Sequence, residues 1–184
     1  MRTIAEIAEA IARQPDMMRL LGHVESLCLP DSWIGAGFIR NAVWDALRGL
    51  PFGASPLSDV DVIFLDPADL RPERDVSIEA TLRALAQEPN WQVKNQARMH
   101  ERNGDAPYRD ASDAIAHWPE TATAIASRVV QGKVEIIAPH GVEDLLGLIV
   151  RPTPAFARKP DVYRKRLAGK DWLTRWPCLT VIDP

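Results

Sequence analysis

Cysteine is scarce in this sequence, with 2 in 184 residues, Cys28 and Cys178. Two distant thiols cannot make a four-ligand zinc site and suggest no disulfide framework, so reduced thiols in a cytoplasm are expected. Long apolar runs are missing too. No stretch approaches the roughly 18 residues that span a bilayer, and the opening MRTIAEIAEAIARQ places acids within its apolar pattern, unlike a secretion signal. A cytoplasmic protein without membrane contact is the expectation. Nor does one charge sign dominate: 22 Lys+Arg against 25 Asp+Glu leave a net charge of −3, so no global basic field advertises a nucleic-acid partner. Two common phosphate loops are absent. GxxxxGK[ST] does not occur, and GxGxxG would need glycine at position 40, where Arg40 stands. Four scattered histidines have no metal-ligand spacing. Ser55 and Ser77 lack a base-and-orienter partner, which sets a hydrolase triad aside.

What is present suits a folded chain. Apolar residues make up 46% and charged residues 26%, ordinary for a globular protein, and the length suits one domain. We divide it into a helical N-terminal segment (1–29), a core (about 30–150) and a helical C-terminal segment (about 151–184). Apolar spacing predicts helices over 3–13, from Pro15 to Leu27, over 38–48, 73–87, 110–117, 120–129, 141–149 and about 160–173. Strands are expected at 59–65 (DVDVIFL), 91–99 (WQVKNQARM) and 133–138 (KVEIIA). The mixture points to an α+β domain.

The chemistry concentrates at Asp59-Val60-Asp61. Side chains alternate along a strand, so Asp59 and Asp61 share one face while Val60, Val62 and Phe64 point to the other. Paired carboxylates beside Ile63 and Leu65 are costly unless a cation or solvent compensates, and hard oxygen ligands suit magnesium. Alone, the pattern is equally that of a solvated strand end. Upstream, Trp33-Ile34-Gly35-Ala36-Gly37 opens a helix whose N-terminal amides and dipole could receive a phosphate; a tight turn without ligand is the alternative. Lys94, Gln96 and Arg98 alternate on one strand and either line a cleft or face solvent. The basic segment from Arg151 to Arg175 reads as a solvated helix face or, failing that, a nucleic-acid groove. The six tryptophans are assigned to the core.

Together, the glycine turn opening a helix and the following strand with Asp59 and Asp61 resemble the polymerase-beta-like nucleotidyltransferase superfamily. GAGFIRNAVWDALRG is similar to the GGxVRDxLLG segment of tRNA nucleotidyltransferases, with Asn41 where those enzymes carry aspartate. Most of residues 30–176, including SDVDVIFLD, VKNQARMH, WPETATAIA and VEIIAPHGVEDLLGLIVRPTP, resembles an uncharacterised bacterial group of nucleotidyltransferase family proteins. The resemblance implies a mixed sheet flanked by helices and metal-dependent transfer of a nucleoside monophosphate from a nucleoside triphosphate, ATP among the candidates. It implies two Mg2+ ions, with Mn2+ as a substitute, on Asp59 and Asp61. It also implies a third acid on a neighbouring strand, for which Glu135 is the candidate ligand or proton acceptor. Gly35, Gly37, Arg40 and Ser58 are the candidate nucleotide contacts. The acceptor (protein, RNA or small molecule) is left open. The alternative is a catalytically inactive nucleotide-binding or interaction module on the same fold.

Overall fold

The computed structural model describes residues 1–184. Two amphipathic helices lead the chain, α1 (Ile4–Ala12) and α2 (Pro15–Ser26). The Thr3 hydroxyl caps α1 by accepting from the Glu6 amide at 3.2 Å, and Pro15 starts α2, where its missing N–H costs nothing. Strand β1 (Trp33–Gly35) runs through Ala36 into α3 (Gly37–Leu47). Strand β2 (Asp59–Phe64) follows, then α4 (Pro72–Leu85) and β3 (Asn90–Asn95). Short helices α5 (Met99–Asn103) and α6 (Ala111–Ala116) precede the hairpin of β4 (Ala126–Val130) and β5 (Lys133–Ile137). The remainder comprises α7 (Glu143–Leu146), β6 (Ile149–Val150), α8 (Pro154–Ala157), α9 (Pro160–Ala168), α10 (Trp172–Arg175) and β7 (Thr180–Val181).

The main sheet has five strands in the order β3-β2-β1-β4-β5. Only β2 and β3 are parallel, joined through α4; the other pairs are antiparallel. The expected α+β fold with a mixed sheet flanked by helices is therefore what forms. One face is closed: Val60, Val62 and Phe64 of β2 are completely buried against α1 to α4 residues such as Ile7, Leu21, Trp44 and Leu82. Burial of each such side chain is worth roughly 1.5–3 kcal/mol relative to exposure. The opposite face is only partly covered. Ala111 and Ile115 of α6 pack there on Trp33, Ile63 and Ala126, and Asp31 tethers the helix by accepting from the Ala111 amide at 2.6 Å.

Four expectations need correction; the helix expected over 141–149 is only the short α7 (Glu143–Leu146), with Ile149 already in β6. The helix at 120–129 is instead a turn, with the Thr123 and Ala124 amides both donating to the Glu120 carbonyl at 3.0 Å, followed by β4. Strand β3 stops at Asn95, whose side chain accepts from the Ala97 amide at 3.1 Å and turns the chain into a 3-10 segment. The terminal helix breaks at Gly169 into α9 and α10. No helix is long and apolar enough to cross a membrane.

Candidate active site

Asp59 and Asp61 lie on the partly covered sheet face, as strand alternation requires. Asp61 is paired with Gly35 of β1 on one side and with Gln92 of β3 on the other. The start of α3 is thus beside the acid pair. The Ser58 hydroxyl donates to Asp59 Oδ1 at 2.9 Å, and Gln92 Nε2 approaches Asp59 Oδ2 at 3.3 Å. Burial, and then the charge of Asp59, push the Asp61 carboxyl above its usual range; Arg40, Lys170 and Arg166 oppose this. Such a carboxylate has unmet affinity for a cation. Magnesium commonly takes one or two carboxylates and keeps waters or substrate phosphates as its other ligands, so Asp59 and Asp61 fit it. No cluster of three or more His, Cys, Asp or Glu side chains accompanies them.

Asp61 opens into a cleft of about 650 Å³. Lys94, Arg102, Lys159 and Arg166 supply positive charge to its walls, and Trp118 and Phe156 supply apolar surface. Arg166 is anchored by the fully buried Glu120, at 2.5 and 3.1 Å. Lys94 lies 3.8 Å from Glu79. Arg98 is drawn away from the cleft into an ion pair with the buried Asp75. The basic C-terminal run is therefore divided. Lys159 and Arg166 face the acid pair across the cleft, whereas Arg164 is taken up by Asp183 at 2.7 Å on the exterior.

The glycine turn differs from its simplest reading. Its left-handed residue is Ala36, with φ 54° and ψ −122°, a conformation costing of order 1–3 kcal/mol for a residue with a Cβ. Ala36 lines the cleft, has no side-chain cap to offer the first turn of α3, and is held by its amide to the Ile125 carbonyl at 3.0 Å. Gly35 is constrained by packing: a Cβ there would lie 2.7 Å from Trp118 Cη2. Gly37 is more open, with nothing nearer than 3.4 Å.

Arg40 is buried. Its guanidinium sits 4.4 Å from the Trp172 ring centre and 5.1 Å from that of Trp44, and donates to Thr123 Oγ1 at 2.8 Å and to Asn41 Oδ1 at 2.9 Å. Burial lowers its pKa to about 10, partly offset by Glu120, so it stays charged at neutral pH. It acts on Asp61 through its field rather than by contact.

Glu135 is not brought to the pair. It lies on edge strand β5, three strands from β2, roughly 14 Å at about 4.8 Å per strand, and accepts from Arg128 Nε at 2.7 Å. It shares the sheet face of Asp61 but belongs to a cross-strand ion pair. Asp45, in contrast, was passed over as a helix residue. Completely buried, it accepts from the Ser55 amide at 2.7 Å, the Ser55 hydroxyl at 2.8 Å and Trp176 Nε1 at 3.0 Å. It ties the loop before Asp59 to α3 and to the C-terminal segment. An acid flanked by Trp44 and Ala46 in an apolar helix was its sequence signal.

The family described as Nucleotidyltransferase matches residues 22–181. A solved structure described as revealing a CCA-adding enzyme head domain is 35% identical, covers 100% of this chain and 98% of its own, and superposes with a TM-score of 0.87. A CCA-adding enzyme in complex with CTP is 14% identical over 99% of this chain and 44% of its own, with a TM-score of 0.57. The Thermotoga maritima CCA-adding enzyme complexed with tRNA gives 14%, 99%, 43% and 0.57 for the same quantities. These last two likenesses concern the fold alone, and the chain spans less than half the length of those enzymes. No curated protein sequence matches the chain.

Proposed function

The chain belongs to this nucleotidyltransferase family, and from that premise we propose that it transfers a nucleoside monophosphate from a nucleoside triphosphate to an acceptor. An acceptor oxygen attacks the α-phosphorus, the bond from that phosphorus to the bridging oxygen breaks, and pyrophosphate leaves. The carrying observation is the pairing of Asp61 with Gly35, which puts Asp61 beside the N-terminus of α3, where it lines a cleft with basic walls.

Asp59 and Asp61 would hold Mg2+, or Mn2+ in its place; the ion's contribution there is to neutralise phosphate charge and lower the acceptor hydroxyl's pKa. The chain's own residues position and neutralise, which is most of what phosphoryl transfer needs. Lys94, Arg102 and Arg166 offset the triphosphate charge, and the uncapped first turn of α3 at Gly37 offers amides and a favourable dipole. Ser58 orients Asp59 instead of touching phosphate. Glu135 is left out of the proposed set because of its distance, and Arg40 supports α3 and α10 from within. CCA-adding enzymes that share the fold are solved with CTP, with ATP and with tRNA, which favours a triphosphate donor and admits RNA among acceptors.

One observation favours a second reading. The sheet partners of Asp61 are Gly35 and Gln92, so no third acid flanks the pair, which fits a nucleotide-binding module without turnover. Calorimetry with a non-hydrolysable triphosphate and Mg2+ shows binding under both readings. Labelled-triphosphate turnover with candidate acceptors separates them. Under the transfer reading, Asp59→Asn and Asp61→Asn each abolish metal-dependent turnover while circular dichroism stays native; full activity in either variant sinks it.

A further inference from the structure

Beside the cleft lies a second cavity of about 430 Å³, lined by His117, His140, Arg158, Lys159 and Asn103 among others. Lys159 and Asn103 belong to the walls of both cavities, so the two adjoin. Resting on the transfer reading above, we propose that this second cavity binds a phosphate group of the acceptor, placing the acceptor's reacting oxygen toward Asp61.

The chemistry of the walls is that of an anion site. Arg158 and Lys159 take part in no ion pair; Lys159 Nζ donates only to the Asn103 carbonyl, at 2.9 Å. His117 Nδ1 is 2.9 Å from the Asp113 carbonyl and His140 Nε2 is 2.9 Å from the Ala116 carbonyl. A carbonyl only accepts, so those nitrogens carry the protons; each ring's other nitrogen bears a lone pair and donates to an anion only when the ring takes up a second proton. The cavity's one carboxylate, Asp105, already accepts from the Tyr108 hydroxyl at 2.7 Å. A guanidinium beside an ammonium is a combination suited to phosphate oxygens.

The two cations are also held in place. They form the two-residue link between α8 and α9, and Pro160, which starts α9, fixes φ directly after the link. Thr153 fastens α8 to the cleft wall, its hydroxyl donating to the Trp118 carbonyl at 2.6 Å and its amide to the Pro119 carbonyl at 3.0 Å. Lys94, Arg102 and Arg166 remain with the donor's triphosphate, so a second anion in the adjoining cavity belongs to the other substrate.

The test is an NMR titration of the full chain with inorganic phosphate, without nucleotide or metal. The expected result is saturable shifts at His117, His140 and Arg158, weakened at least five-fold by Arg158→Ala and retained in Asp61→Asn. Absent shifts there, or shifts that Arg158→Ala leaves unchanged, overturn the proposal. Glycerol phosphate and a short oligoribonucleotide then compete for the same signals. Displacement by glycerol phosphate alone assigns a small phosphomonoester, and displacement by the oligonucleotide assigns a strand phosphate; both support the site. With an acceptor in hand, active Arg158→Ala with an unchanged acceptor KM overturns this inference and spares the transfer reading. A wild-type protein that binds phosphate but transfers nothing keeps the site and loses that reading.

Discussion

Replacing Gly35 with alanine tests whether this glycine exists for packing or for phosphate approach. The added Cβ would lie 2.7 Å from Trp118 Cη2, 3.1 Å from Cζ3 and 3.3 Å from the Ile125 carbonyl oxygen. Carbon contacts are comfortable at about 3.5–4.0 Å, so the indole must retreat by roughly 1 Å. The Ile125 carbonyl can yield little, because it accepts from the Ala36 amide. Trp118 is pinned at its own backbone by Thr153 and by the Ile115 carbonyl, leaving rotation of its ring into the cleft. Overpacking of this kind costs about 1–3 kcal/mol. At about 2 kcal/mol, a chain of this length should lose roughly 4–8 °C in Tm. Urea denaturation of Gly35→Ala, Trp118→Leu and the double variant measures the coupling, and most of the loss should disappear in the Trp118→Leu background. Gly37→Ala is the control: with no atom nearer than 3.4 Å, alanine in the first helical turn should raise stability by about 0.5–1 kcal/mol. A Gly35→Ala protein as stable as wild type, or a loss undiminished without the indole, refutes the packing argument.

Four other outcomes are expected. Since burial and Asp59 raise the Asp61 pKa above its unfolded value, the stability it permits is full below the unfolded carboxylate pKa and is lost as pH rises through the folded one. Asp61→Asn should therefore stabilise the metal-free protein at pH 7 but not in acid, as read by thermal denaturation; a loss at pH 7 contradicts this. Saturating Mg2+ should raise the wild-type Tm, by about 2.7 kcal/mol of added stability at a hundred times Kd, and should leave the Asp61→Asn Tm unmoved. Arg166→Ala strands the fully buried Glu120 and should cost roughly 3 kcal/mol; a Glu120→Leu, Arg166→Met pair should recover most of it in urea titrations. Arg40→Ala empties the space between Trp44 and Trp172 and should cost about 2–4 kcal/mol, whereas Arg40→Met, which fills that space without a charge to desolvate, should come close to wild type; equal losses would refute a packing role.

Much of the fold was legible wherever one local signal decided the outcome. Asp59 to Phe64 alternates so that the strand and its two faces followed from the sequence, and Pro15 and Thr3 marked helix starts that the structure keeps. Residues 120–129 were misread because Ala122, Ala124 and Ala126 favour a helix locally, while long-range pairing with β1 and β5 decides the outcome. The overlooked cue was Gln131-Gly132, a two-residue loop with φ of 51° and 77° that suits a hairpin. At the site, the resemblance named the glycine turn and Asp61 as candidates, and Gly35 pairs with Asp61 in the sheet. Of the cleft's cations Lys94 was a candidate, but Arg166 was not singled out, because it lies 105 positions beyond Asp61 and is held at the site by its bond to Glu120. Glu135 shows the opposite limit: sequence gives the face of a strand but not its rank in the sheet.

The C-terminal segment closes over α3, with the Trp172 and Trp176 rings set edge-on against Trp44 at 5.7 and 5.2 Å. During synthesis, therefore, the carboxylates emerge about a hundred residues before the cations that face them. A growing chain would hold Asp61 without the fields of Arg166 and Lys170, and Arg40 without its Trp172 cover, until α9 and α10 arrive. The cleft's last wall is in this way shut only when α9 and α10 arrive, and under the proposed function an interrupted product that ends before α9 should fail to retain nucleotide.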